Sequence, residues 1–396
     1  MKSVEGYRTA KRFEGGEVEA INSVLGKMLQ LEKEGKKFIR MDMGDSNFDL
    51  PKGLKEGIKK ALRSGRIKYP PPGGIPELRE KLRVKLLKKN RIQAEPEGIL
   101  ITNCGMGGLF NAFFSLLDPG DEVILIQPFW PPLKYHCLYN GAVPVYVPLD
   151  HDFQLDPDRI RKAVTRRTKV IYVNSPNNPK GAVFSRESLE EVGKIALQKK
   201  IWILSDEPYE DILFQGKHTS IASFPGVLER SITTFSFSKT YAATGLRIGY
   251  AVTGNKDLKD VLIHLDRQVS TGVNTLIQLA LCLSEIEAGE IEKMRGVYEK
   301  RMELLYEGFS RMEGVSCKKP MGGFFIFPDF SRLIPKDLKR RSFYIADRLL
   351  EQGISAVPGI AFGDGKSYEG NIRLNFSNLN ETEISEALRI FQKTFS

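Results

Sequence analysis

The sequence predicts an α/β protein: a mostly parallel, doubly wound sheet with a smaller α+β unit beside it. Three observations lead there. Short β-branched runs alternate with helix-period segments between residues 99 and 252, as strands joined by crossover helices do. Polar and charged residues cluster just after several of those runs, where doubly wound sheets hold ligands. Beyond about 255 the pattern turns helical to about 310, then mixes strands with helices.

Residues 17–35 carry Ile21, Val24, Leu25, Met28, Leu29 and Leu31 at helical spacing, which predicts a packing helix. A short strand is expected over 38–44, a turn over 45–51, and helices near 52–64 and 75–90. Between those helices, Lys68-Tyr69-Pro70-Pro71-Pro72-Gly73-Gly74 cannot be helical, because proline lacks the N–H donor. An apolar strand follows over 99–102, then the glycine-rich turn Asn103-Cys104-Gly105-Met106-Gly107-Gly108, then a helix over 109–117. Strand, glycine turn and helix make either an anion site or a close-packed turn that binds nothing. Further strands are predicted over 122–126, 143–147, 169–173, 201–205, 231–235 and 248–252, and in the tail within 322–327 and 371–376. The pattern divides into an N-terminal arm with part of a small domain (1–45), a large domain (46–285) and a C-terminal small domain (286–396).

Composition narrows the function classes. The 396 residues are 41% hydrophobic and 27% charged, which suits a soluble globular chain with a large core. The net charge of +10 could draw anionic partners. The densest basic clusters, 85–89 and 336–341, lie in mixed-charge helical patterns and read as solvated helix faces. No zinc-finger or basic-zipper spacing accompanies them, so no nucleic-acid partner is expected. Cys104, Cys137, Cys282 and Cys317 are widely spaced, which fits a reducing compartment and neither a disulfide framework nor a zinc site. The four histidines form no metal signature. The N-terminus has no apolar signal region and no run approaches a membrane span, so the expected location is cytoplasmic.

The chemistry gathers around Ser236-Phe237-Ser238-Lys239, after the run 231–235 and before Gly245 and Arg247. A lysine ending a buried strand is costly unless paired, deprotonated or covalently used. It is either a solvated loop lysine or an amine that holds an aldehyde cofactor as a Schiff base, with Ser and Arg on that cofactor's phosphate. In Ser205-Asp206-Glu207-Pro208-Tyr209, Asp206 and Tyr209 could equally be a helix cap and a core edge. Trp130, in Pro128-Phe129-Trp130-Pro131, could simply be core.

Taken in order, these segments resemble the class I/II aminotransferases of the aspartate aminotransferase group, pyridoxal-5′-phosphate (PLP) enzymes of fold type I. The resemblance runs from about Phe38 to Phe376. It implies that Lys239 carries the cofactor's aldehyde, that Ser236 and Arg247 bind its phosphate, and that the Gly105 and Met106 amides point at that phosphate. Trp130 would stack on the pyridine ring. Asn178, in Asn177-Asn178-Pro179-Lys180-Gly181, and Tyr209 would hydrogen-bond the ring's O3′. Asp206 would keep the ring nitrogen protonated, without which PLP is no electron sink. Lys239, once freed, would shuttle a proton as general acid/base. Arg373 matches the clamp on the substrate α-carboxylate, with a strand-face salt bridge as the alternative, and Gly44 matches that carboxylate's backbone contact. Tyr69 matches a tyrosine that reaches the phosphate across a dimer interface, which implies a homodimer with shared sites.

Three departures stand out. Met106 occupies a place where the family has Thr, Ser, Gln or Lys, and the missing charge counts against aspartate as preferred donor. Cys104 replaces Gly or Ser, and Lys180 replaces Thr; in the family's layout neither touches the core chemistry. The expected reaction is ping-pong transfer of an amino group from an L-amino acid to a 2-oxo acid, with 2-oxoglutarate as the expected acceptor. A carbon–sulfur β-lyase on the same scaffold is the alternative. A PLP-domain transcription regulator would need a DNA-binding module, and about 40 residues precede the first motif, too few for one.

Overall fold

The computed structural model describes residues 10, 12 and 20–395. Its main sheet has seven strands: β2 (Ile99–Thr102), β3 (Glu122–Gln127), β4 (Val143–Pro148), β5 (Thr168–Asn174), β6 (Trp202–Asp206), β7 (Ser231–Ser236) and β8 (Gly249–Val252), after the short β1 (Ile39–Arg40). Their spatial order is β2-β8-β7-β6-β5-β3-β4. From β7 to β4 every pairing is parallel, and β8 alone runs antiparallel to both its neighbours. Helices cover both faces, so β3 is buried along its whole length and β5 along nearly all of it. That explains why these strands read as continuous Val/Ile/Leu runs rather than alternating ones.

The smaller sheets are β1 beside β10 (Ile354–Ser355), parallel, and β11 (Val357–Pro358), β12 (Ile372–Asn375) and β9 (Phe325–Ile326), antiparallel. They rest on an apolar cluster that includes Met302, Phe309, Phe330, Phe376 and Phe391. Tyr209 and Ile212, from the loop after β6, belong to the same cluster. The small sheets therefore pack against the carboxyl edge of the large one.

Four expectations change. The strand predicted over 38–44 shrinks to Ile39–Arg40. Beyond it, the carbonyls of Asp42 and Gly44 accept from Arg373 and Lys239 instead of from a neighbouring strand. The glycine-rich turn 103–108 is not a separate turn, because the helix starts at Cys104 and runs Cys104–Leu116. Its glycines give close approach: a Cβ on Gly108 would lie 3.3 Å from Thr102 and from Thr234. The basic cluster 85–89 is not simply a solvated face. Lys85 bonds Glu210 and, at 3.0 Å, the Tyr250 hydroxyl, while Lys89 bonds Asp211. The cluster 336–341 is largely exposed but forms turns, and the next helix, Arg341–Glu351, begins at its end. The first helix, Ala20–Lys33, falls within the span 17–35, whose first residues lie outside those described.

Candidate active site

Asn174, Asp206 and Ser236 end three adjacent parallel strands, so they meet on one edge of the sheet. They open into a cavity of about 430 Å³ whose lining includes Gly44, Met106, Trp130, Asn178, Lys239 and Arg373. Gly105, Asp206, Tyr209, Ser236 and Arg247 line it too. Eleven of the twelve site residues expected from the sequence thus share one cavity. Tyr69 is the exception: it is 85% exposed and points into solvent.

At one end stands the N-terminus of the helix Cys104–Leu116, whose first N–H groups have no partner within the helix. Ser236 lies close by, within 3.4 Å of where a Cβ on Gly105 would sit. Its hydroxyl accepts from the Ser238 N–H at 3.2 Å. Arg247 holds a left-handed backbone (φ 52°) and donates to the Thr244 carbonyl at 2.6 Å and to Cys104 Sγ at 2.7 Å. Helix amides, a hydroxyl and a guanidinium together favour a compact anion. Cys104 therefore does touch this end of the site, contrary to expectation.

In the middle, the Asp206 carboxylate accepts from the Tyr172 hydroxyl at 2.9 Å and from Thr234 Oγ1 at 3.1 Å. Burial raises its pKa to about 6, held back by those two donors. The anion of such a carboxyl is disfavoured by its burial, and a neighbouring cation would stabilise it. Asn178 precedes the cis bond to Pro179 in the loop after β5, and its N–H donates to Asn174 Oδ1 at 2.8 Å. Its own side-chain oxygen is buried without a partner. Burial likewise raises the Tyr209 pKa, opposed by nearby Arg373.

Lys239 sits in the short helix Phe237–Thr240, and its Nζ donates to the Gly44 carbonyl at 2.7 Å. Burial lowers its pKa to about 8, with Arg373 and Arg247 pushing the same way and Asp45 opposing. Lys239 is thus half-buried in a short helix and tied to a backbone carbonyl, unlike a solvated loop lysine. A side chain on Gly44 would strike the Phe325 ring at 2.9 Å, so glycine is required there. Arg373 is 4% exposed, donates to the Asp42 carbonyl, and lies 4.6 Å from the Phe325 ring centre. Its Nε is buried with no partner, the mark of a cation kept for something else. Among the described residues it forms no carboxylate salt bridge, and its one side-chain hydrogen bond goes to the Asp42 carbonyl.

Sequence reasoning missed the residues behind these. Tyr172, Thr234 and Asn174 orient Asp206 and Asn178, yet each reads as an ordinary strand residue. Gly249 admits the helix N-terminus, since a Cβ there would lie 2.8 Å from the Gly105 nitrogen and 2.6 Å from the Phe235 carbonyl. The glycine at the start of an apolar run was the only signal.

A doubly wound sheet with a half-buried lysine, a buried carboxylate and an anion cradle gathered at one strand edge is the setting of an enzyme's active site. The profile of the aminotransferase class I and II family matches residues 36–391, and the chain belongs to that family. It is similar to the aspartate/prephenate aminotransferase of Thermus thermophilus, 36% identical over 392 residues, covering 97% of this chain and 98% of that one. A solved aspartate aminotransferase from Thermus thermophilus, with maleate, superposes with a TM-score of 0.91 at 34% identity, covering 98% of this chain and all of that one. An alanine aminotransferase from Pyrococcus furiosus superposes at 0.90 with 31% identity, covering 98% and 99%. The protein is an aminotransferase; the comparisons support transfer and not the lyase alternative. Among the described residues, no helix is long and apolar enough to cross a membrane.

Proposed function

We propose that this aminotransferase uses PLP and that the cavity at the ends of β5, β6 and β7 is where it works. The observation that carries the reading is the alignment of three features in one cavity: an anion cradle, a buried carboxylate and a buried amine. The residues present fit the cofactor. The Gly105 and Met106 amides, Ser236 and Arg247 would hold its phosphate. Asp206, whose pKa of about 6 calls for a neighbouring cation, would hold the protonated ring nitrogen. The Asn178 side-chain NH2, with the Tyr209 hydroxyl it already meets, would donate to the ring oxygen. Trp130 would cover one ring face. When bound, PLP supplies the electron sink that lets a substrate Cα–H bond ionise.

The chain's own residues then do the following. Arg373, with its free Nε, grips the substrate α-carboxylate, and the Gly44 backbone lies beside it. That fixes the Cα–H toward Lys239. Lys239 Nζ, with its lowered pKa, is poised to take that proton and return one in the opposite half-reaction. Wall packing by Phe325 and Trp130 keeps water from the reacting carbon. Amino acid and 2-oxo acid use the same cavity in turn. Tyr69 of each chain would complete its partner's phosphate site in a homodimer. We also propose a large domain (46–285) and a small one (286–396), with residues 1–45 as an arm and part of the small domain, to which β1 is added by the β1–β10 pairing. The widely spaced cysteines suit a cytoplasmic enzyme.

Arg373→Ala tests the clamp. Its KM for every amino acid should rise by about 100-fold or more, because a charged hydrogen-bond partner is lost for all of them alike. A KM that stays at the parent value would remove Arg373 from the site.

A further inference from the structure

The groups assigned above account for every cation in the cavity. Lys239, Arg247 and Arg373 are the basic residues lining it, among the described residues. What remains for a substrate's side chain is apolar: Leu25, Met43, Met106, Leu109, Trp130 and Phe325. Besides Asp206, assigned above to the ring nitrogen, the acidic groups there are Asp42 and Asp45. Asp42 is tied to Arg40 by two bonds of 2.8 and 3.0 Å, and Asp45 accepts from Thr244 Oγ1 at 2.7 Å. A second carboxylate on the substrate would find no free cation on this chain and would stand near two anions.

We propose that the side-chain end of this cavity selects apolar side chains, so that leucine-, methionine- or phenylalanine-like substrates are preferred over aspartate and glutamate. The proposal rests on the PLP site proposed above. Both half-reactions share the cavity, so the preference holds for the acceptor as well. A 2-oxo acid with an apolar side chain should therefore serve as acceptor beside 2-oxoglutarate. Apolar walls favour a matched alkyl chain by roughly tenfold for each methylene, and a carboxylate placed there loses its hydration without a partner.

The test measures single half-reactions of the holoenzyme by stopped-flow, following the cofactor's absorbance with each amino acid in turn. Leucine, methionine or phenylalanine should exceed aspartate and glutamate in apparent second-order rate constant by about tenfold or more. Calorimetry supplies a reading free of turnover: unreactive 4-methylpentanoate should bind the holoenzyme more tightly than succinate. Met106→Lys places an ammonium on the wall and should shift the ratio toward aspartate. If that variant does not fold, Met43→Lys, at a 47% exposed position, serves the same end. Faster reaction with aspartate or glutamate, or tighter binding of succinate, would overturn the proposal. Failure of every amino acid to react would instead strike the PLP-site assignment, while the calorimetric order would still decide the nature of the walls.

Discussion

Asp206 shows most clearly how a single residue is set up for chemistry at the expense of stability. Its carboxyl pKa rises to about 6 through burial, against the help of Tyr172 and Thr234. A raised carboxyl pKa means that the ionised form is disfavoured in the folded state. The cost is absent below the unfolded-state value of about 3.9 and is complete above pH 6. Asp206→Asn should therefore stabilise the cofactor-free protein by about 2 kcal/mol at pH 8 and hardly at all at pH 4. The same change should lower holoenzyme kcat on the order of 100-fold or more, because in the proposed PLP site the ring nitrogen would lose its anion. Paired urea titrations at the two pH values and a steady-state assay would check both halves. The sequence already marked Asp206 and Lys239, since charged residues at or beside apolar strands are costly and conspicuous, and the family resemblance marked Arg373. It did not mark Tyr172 or Thr234. A tyrosine or threonine in a strand is ordinary, and only the register of β5, β6 and β7 turns them toward the carboxylate.

Elements matter here through their ends. The seven main strands lie within about a residue of where β-branched runs place them, because buried parallel strands carry an unbroken apolar signal. The start of the helix Cys104–Leu116 was not legible. Three glycines within its first five residues argue against helix by propensity, and tertiary packing overrides them. β8 must pass close under that helix end, which Gly249 allows. Gly249→Ala should displace the cradle and weaken cofactor affinity by roughly tenfold, while leaving the far-UV spectrum unchanged. An unaltered dissociation constant for PLP would show that the cradle does not depend on this approach. Farther away, Glu210 anchors the helix Pro76–Lys85 to the loop after β6. Burial alone would raise its pKa, but Lys85 and Lys89 bring it down to about 2. A lowered carboxyl pKa stabilises the fold above about pH 4.3, and that contribution fades as the pH falls toward 2. Lys85→Ala leaves this buried carboxylate short of a partner and should cost about 3 kcal/mol at pH 7 in thermal or chemical unfolding.

At the scale of the molecule, the site lies where the large sheet's carboxyl edge meets the apolar cluster beneath the small sheets. Tyr209 and Phe325 belong to both. That meeting could be anticipated only in outline, since alternating strands and helices say where a ligand edge is but not what closes over it. Tyr69 extends the account beyond one chain. It is exposed, and the apolar residues Ile67, Val261, Val269 and Leu283 are exposed as well. The chain should run in solution at twice its 44.6 kDa mass, and Tyr69→Phe should weaken PLP binding without dissociating the dimer. A fully active monomer in sedimentation would contradict the shared site. Everything above depends on one amine. The most direct measurement is to reduce the holoenzyme with borohydride, digest it, and locate the pyridoxyl group by mass spectrometry. The account predicts a single label, on Lys239, that is lost in Lys239→Ala; a label on any other lysine, or one that persists in that variant, would contradict it.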